Sequence, residues 1–165
     1  MKTIVGVAAA LAAAALAAVM PTAQLAAMPT AQANNYGTGA AEKVRKLDIM
    51  LMVSSLRCRK TSDNFQSDYE AFSASHLAEL NQASRTLKSD LALRYGASGA
   101  DRALDRLSTS MANQYGQGHP WLDCHGLKEV THQLANNHNP GVLLNAADDL
   151  LASQGDGRTY LAARY

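Results

Sequence analysis

The stretch "SDNFQSDYEAFSASHLAELNQASRTLKSDLALRYG", Ser62 to Gly96, decides the fold class. Phe65, Tyr69, Phe72, His76, Leu80, Ala83, Leu87 and Leu91 recur in it at spacings of three and four. That period lays one stripe along one side of an α-helix, because 3.6 residues complete a turn. Ser62 or Asp63 can cap its start by accepting a hydrogen bond from a free first-turn N–H. Gly96 is a natural stop, since glycine tolerates the left-handed backbone that ends many helices. The result would be about 30 residues, roughly 45 Å long. A helix of that length in one domain is expected to kink.

The flanking sequence reads the same way. Upstream, a first helix is expected from about Ala41 to Lys60. Glu42 near its start and Arg57, Arg59 and Lys60 near its end complement the helix dipole. Its middle, Leu47 to Val53, reads "LDIMLMV" and is apolar nearly all round, so this helix should be the most buried. Downstream, Ser98 can cap a third helix to about Gln114, with Ala100, Leu104, Leu107 and Met111 on one face. "YGQGHP", Tyr115 to Pro120, reads as a loop. Pro120 suits the first turn of a fourth helix to about Ala135. Asn139-Pro140 starts a fifth to about Ser153, ended by the glycines of "GDG". No strand alternation is present. The expected class is all-α: an antiparallel bundle of four to five helices over residues 41–154, with one long second helix, a flexible leader over 34–40 and a tail over 155–165.

The N-terminus carries an address. Lys2 is followed by an Ala-, Val- and Leu-rich run from Ile4 to Val19, and then by small residues ending in Ala31-Gln32-Ala33. That order of charge, apolar run and A-x-A is expected of a secretory signal peptide over 1–33. The run falls short of the ~20 residues of a spanning helix. Cleavage is expected after Ala33. The short duplication "MPTAQLAA", "MPTAQANN" leaves an earlier cut near Ala27 open. The protein would then be periplasmic or secreted, with no membrane span after cleavage.

Lys and Arg total 15 against 14 Asp and Glu, and Lys2 leaves with the leader. A near-neutral chain without a basic stripe argues against a nucleic-acid partner. The chain has 2 cysteines, Cys58 and Cys124, 66 residues apart. An even count in an exported chain points to a disulfide between them.

The candidate chemistry gathers in "GHPWLDCHGLKEVTH", Gly118 to His132. Trp121-Leu122-Asp123-Cys124-His125 is the haem-attachment pattern C-x-x-C-H with tryptophan in place of the first cysteine. An exported helical bundle with such a motif looks like a cytochrome c-prime, but Trp121 removes one thioether and a disulfide at Cys124 removes the other. No cofactor is therefore expected. His125, Glu129 and His132 fall at i, i+4 and i+7 on one helical face. They are the metal-ligand candidates, and Glu129 with His132 also spells the E-x-x-H of di-iron bundles. Those bundles need the pair twice, and it occurs here once. A solvated polar face is the plainer reading. Nucleophilic catalysis has no G-x-S-x-G to stand on. His76 lies on the apolar stripe and reads as a hydrogen-bonded boundary histidine. Trp121 can cover the bundle end beside the disulfide, or with His119 mark a contact surface.

"EKVRKLDIMLMVSSLRCR", Glu42 to Arg59, and "STSMANQYGQGHPWLDC", Ser108 to Cys124, resemble a group of short exported helical proteins of sphingomonad-type bacteria. The resemblance runs from Glu42 to about Leu134. Such chains loosely carry the label S-adenosylhomocysteine hydrolase. That label implies a Rossmann fingerprint, and no G-x-G-x-x-G is present. A looser likeness, at the level of class, is to small periplasmic acid-stress chaperones, helical and holding one disulfide. The leading expectation is an exported binding or structural protein, in a chaperone-like variant exposing the second-helix stripe under stress. Its partner would be an envelope protein or a small molecule. The alternative is a small enzyme or metal-binding protein using the His125, Glu129 and His132 face.

Overall fold

The structure, a computed structural model, describes residues 36–152. The expected signal segment, its cut after Ala33 and the tail from 155 to 165 lie outside the described residues. Six helices follow one another: α1 (Thr38–Cys58), α2 (Gln66–Ser75), α3 (Leu77–Tyr95), α4 (Ala97–Tyr115), α5 (Cys124–Asn136) and α6 (Val142–Leu151). No strand occurs among the described residues. The protein is an all-α bundle with one disulfide.

α1 is the hub. It packs against each of the other five helices, as its apolar middle requires. Leu47, Met50 and Leu51 are fully buried, and Phe65, Phe72, Leu134, Leu143 and Leu150 close around them from α2, α5, α6 and the α1–α2 loop. Named contacts give the directions. Tyr69 of α2 reaches back to Asp48, so α2 runs antiparallel to α1. Asp63, Asp68 and Ser75 meet His125, His132 and Ala135 in order, so α2 and α5 run side by side in one direction. Lys88 pairs with Asp101 at 2.5 Å across Gly96, so α3 and α4 form an antiparallel hairpin. Gly96 alone connects those two helices, at φ +73°, a conformation that suits glycine.

The long second helix is divided at His76. That one residue, at φ −106° and ψ 14°, ends α2 and starts α3. The stripe is real on both sides of the break, since Phe65, Phe72, Leu80, Ala83, Leu87 and Leu91 are buried. Its two halves face different partners, however: α2 packs on α5 and α3 packs on α4. A straight rod of five or more turns cannot serve both, so the chain bends where the partner changes. The bundle has six helices rather than four to five for this reason. The helix itself also starts later than Ser62 or Asp63 suggests. Asn64 Oδ1 accepts from the Gln66 N–H at 3.1 Å, a local turn that precedes α2.

Three other boundaries differ from expectation. α1 begins at Thr38, inside the leader expected to be flexible over 34–40, because Tyr36 is buried and donates a hydrogen bond to Glu79 of α3. α5 begins at Cys124 rather than Pro120. Asp123 Oδ1 accepts from the Gly126 N–H at 2.9 Å and so satisfies a free donor, which a first-turn proline does not do. α6 begins at Val142 after a turn closed by Val142 N–H to Asn139 O at 3.1 Å, and ends at Leu151 rather than Ser153.

Candidate functional site

Cys58, the last residue of α1, is bonded to Cys124, the first of α5, with 5.8 Å between their Cα atoms. The bridge ties the hub helix to the stretch that holds most of the candidate chemistry. Trp121 and Leu122 pack, half-buried, against the main core beside it.

The metal-ligand candidates are not gathered on one point. His125 Nδ1 lies 3.3 Å from Asp63, and His132 Nδ1 lies 3.0 Å from Asp68. Both imidazoles cross from α5 to the α2 side, and Glu129 stands exposed on α5 between them. Among the described residues, no three His, Cys, Asp or Glu side chains converge as a metal site would require. The pairs act as cross-helix ties. With the His132 side chain 64% exposed, such a tie contributes at most about 1 kcal/mol.

The contact candidates His119 and Trp121 turn inward. His119 Nε2 meets the Leu150 carbonyl at the end of α6 at 2.9 Å, and its Nδ1 accepts the Leu122 N–H at 3.2 Å. Trp121 approaches the imidazole edge-on, with 4.6 Å between ring centroids, and Tyr115 stacks on it at 6.2 Å.

His76 sits buried at the α2–α3 break. Its Nε2 lies 2.9 Å from the Leu134 carbonyl and its Nδ1 lies 3.5 Å from Glu79. Burial by itself disfavours the charged imidazole, but the Glu79 hydrogen bond, the Leu134 carbonyl and the Glu79 charge outweigh it, so the His76 pKa is raised. A raised histidine contributes stability that is full below the ordinary value of about 6.5 and is lost as pH rises through the folded-state value.

A buried polar cluster lies across α1, α2 and α4. Asp48 is only 8% exposed. It accepts from Tyr69 Oη at 3.0 Å and from Arg45 at 3.2 Å, and Arg45 continues to Ser108 Oγ at 3.4 Å. Burial pushes the Asp48 pKa up, against the lowering pull of Tyr69 and Arg45. Burial and the neighbouring carboxylate also raise the Tyr69 phenol. The cluster locks three helices in register. The signal was present, since Asp48 is the only charge in "LDIMLMV", but its partner lies 21 residues away. Tyr69→Phe removes the hydroxyl donor and leaves a buried carboxylate under-bonded. We expect it to cost about 1–3 kcal/mol at neutral pH, read as a lower urea midpoint with an unchanged slope.

The concavity that the sequence did not disclose is a groove beside α3. It is open, approximately 530 Å³, and runs between Tyr36, Thr38 and the α3 side chains Gln82, Arg85, Thr86, Ser89, Asp90 and Leu93. Gln82, Thr86, Ser89 and Leu93 follow the i, i+4, i+7, i+11 pattern of one helical face. Leu93, at one end, is 89% exposed. The other wall exists only because Tyr36 docks.

Comparisons with protein-family models, with curated proteins and with solved structures give no match for this chain.

Proposed function

We propose that this is an exported envelope protein, periplasmic or secreted, that binds an extended polypeptide segment of another envelope protein in the α3 groove, in a chaperone-like manner. The groove is the observation that carries the reading. Gln82, Arg85, Thr86, Ser89 and Asp90 offer donors and acceptors along three turns. An extended chain presents unpaired N–H and C=O groups that need such partners. Asp90 pairs with Arg94 and Arg85 donates to Gln82 at 2.9 Å, and Leu93 gives an apolar side chain somewhere to rest. Export is supported by the leader pattern and by the disulfide, a bond that persists in oxidising compartments. The histidine face supports an enzyme or metal carrier less well, since His125 and His132 are directed to separate aspartates.

The test is suppression of aggregation of an unfolded client, at neutral and at acid pH, by the wild-type protein and by Thr86→Trp, which fills the groove. Wild type should slow aggregation and Thr86→Trp should do so much less. No suppression by wild type at either pH, or equal suppression by the two proteins, would remove the proposal.

A further inference from the structure

His119 is held from both sides by backbone groups of opposite kind. Nε2 faces a carbonyl oxygen, Leu150 O at 2.9 Å, so it must carry a hydrogen to bond. Nδ1 faces N–H donors, Leu122 N at 3.2 Å and Trp121 N at 3.5 Å, so it must present a lone pair. The two contacts together require the neutral Nε2–H tautomer. A proton added at Nδ1 would point its hydrogen at another hydrogen. It would break the bonds that hold Leu122 and Trp121 to the ring inside the Gly116–Asp123 loop, and leave the Nε2–H bond to α6 in place.

We propose that His119 is an acid-released latch: anchored to α6 through Nε2–H, its bare Nδ1 fastens the Trp121 and Leu122 N–H groups, and taking a proton from solvent at Nδ1 frees Trp121 and Leu122. The described surroundings do not rescue the cation. Among the described residues, no carboxylate lies within ion-pairing distance of His119. From α1, Arg57 binds the Gly116 carbonyl at 3.0 Å, and Lys46 stands 5.9 Å from the Tyr115 ring that stacks on His119. Both are cations. Gly118, at φ +110°, has the Arg57 guanidinium 3.5 Å from where a Cβ would stand, so the loop is closely applied to that charge. Within the loop, Asp123 is committed to the Gly126 N–H. On α6, Asp148 pairs with Lys43 at 2.6 Å, and Asp149 stands one residue before Leu150. Among the described residues the Leu150 carbonyl favours the charged ring, and burial outweighs it, so the His119 pKa is lowered.

The sign follows. In the open loop the imidazole has its ordinary value of about 6.5. The closed form holds the proton less well, so the latch is at full strength above that value. It weakens as pH falls from there toward the depressed closed-state value. His76, facing the Glu79 carboxylate, responds in the opposite sense. Mild acid therefore releases the Trp121–Leu122 segment from the ring while the α2–α3 joint stays fastened. This inference does not depend on the α3 groove.

Amide hydrogen exchange of Trp121 and Leu122 tests it, followed from about pH 8 to about pH 5 and corrected for intrinsic rates. Their protection factors should fall severalfold in acid while amides of the α1 middle hold theirs. In His119→Asn, whose carboxamide oxygen can accept at the Nδ1 position without titrating, protection should be independent of pH. A pH-independent wild type overturns the latch, and so does the same acid loss in His119→Asn. Should that variant not fold, ring ¹⁵N shifts of the wild-type protein decide. A bare Nδ1 at neutral pH supports the proposal, and an Nδ1–H tautomer ends it.

Discussion

Reduction of the Cys58–Cys124 bridge is expected to lower the melting temperature by about 10–20 °C. The bond closes a 66-residue separation. On the chain-entropy view, opening a loop of that size returns roughly 4 kcal/mol of freedom to the unfolded chain. For a domain of this size that is a large share of its stability, and each kcal/mol moves the midpoint by a few degrees. The bridge also joins the end of the central helix to the start of α5, next to Trp121 and Leu122. Its loss should loosen that end before the α3–α4 hairpin, which holds its own small core of Leu91, Ala100 and Ala103. Calorimetry with and without reductant, and on Cys58→Ser, measures the effect. The oxidised chain should weigh two hydrogens less than the reduced one. Two titratable thiols per folded chain would contradict the structure.

Phe72→Ala should cost about 3–5 kcal/mol, the range for an aromatic ring removed from a closed core. Phe72 is fully buried, its ring centroid lies 5.3 Å from that of His76 and 6.1 Å from that of Tyr69, and it is the only fully buried side chain of α2. The rest of α2 is held by the half-buried Tyr69 ring and by polar ties to α1 and α5. The substitution should therefore release α2 more than any other helix. Urea denaturation gives the magnitude, and exchange of α2 amides gives the location. Leu93→Ala is the matched control: the side chain is exposed, so the change should stay within about 0.5 kcal/mol. Equal losses at the two positions would contradict the burial pattern.

Both effects concern features that are partly visible in the sequence. Phe72 stands on a periodic stripe, and periodicity is a local property that survives without knowledge of partners. The cysteine pair was expected from an even count behind a signal-like leader, and the structure bonds the two. The bend at His76 is different in kind. Nothing in "FSASHLAEL" breaks a helix, and the break is imposed because α5 and α4 claim the two halves of the stripe. The start of α5 shows the reverse: Asp123 was a readable cap, but Pro120 offered a competing local signal, and the cap bond won.

The site divides along the same line. Residue types at Gly118 to His132 marked the region, and the structure joins it to α1 through Cys124 and to α6 through His119. What each histidine does there could not be read. His125 and His132 pair with Asp63 and Asp68, and His119 meets Leu150, all across tens of residues. The α3 groove is one helical face plus Tyr36, and a wall supplied from another part of the chain has no periodic signature.

The sequence alone settled the all-α class, the order of the helical segments, the burial of α1 and the pairing of Cys58 with Cys124. These rest on period, composition and count, which are properties of neighbours along the chain. The tertiary structure decided where the long stripe bends, which carboxylate is buried at Asp48 and who satisfies it, and the tautomer of His119. Those depend on which surfaces meet. Packing and hydrogen-bond satisfaction act between residues far apart in sequence, and they override local preference wherever a buried polar group must find its partner.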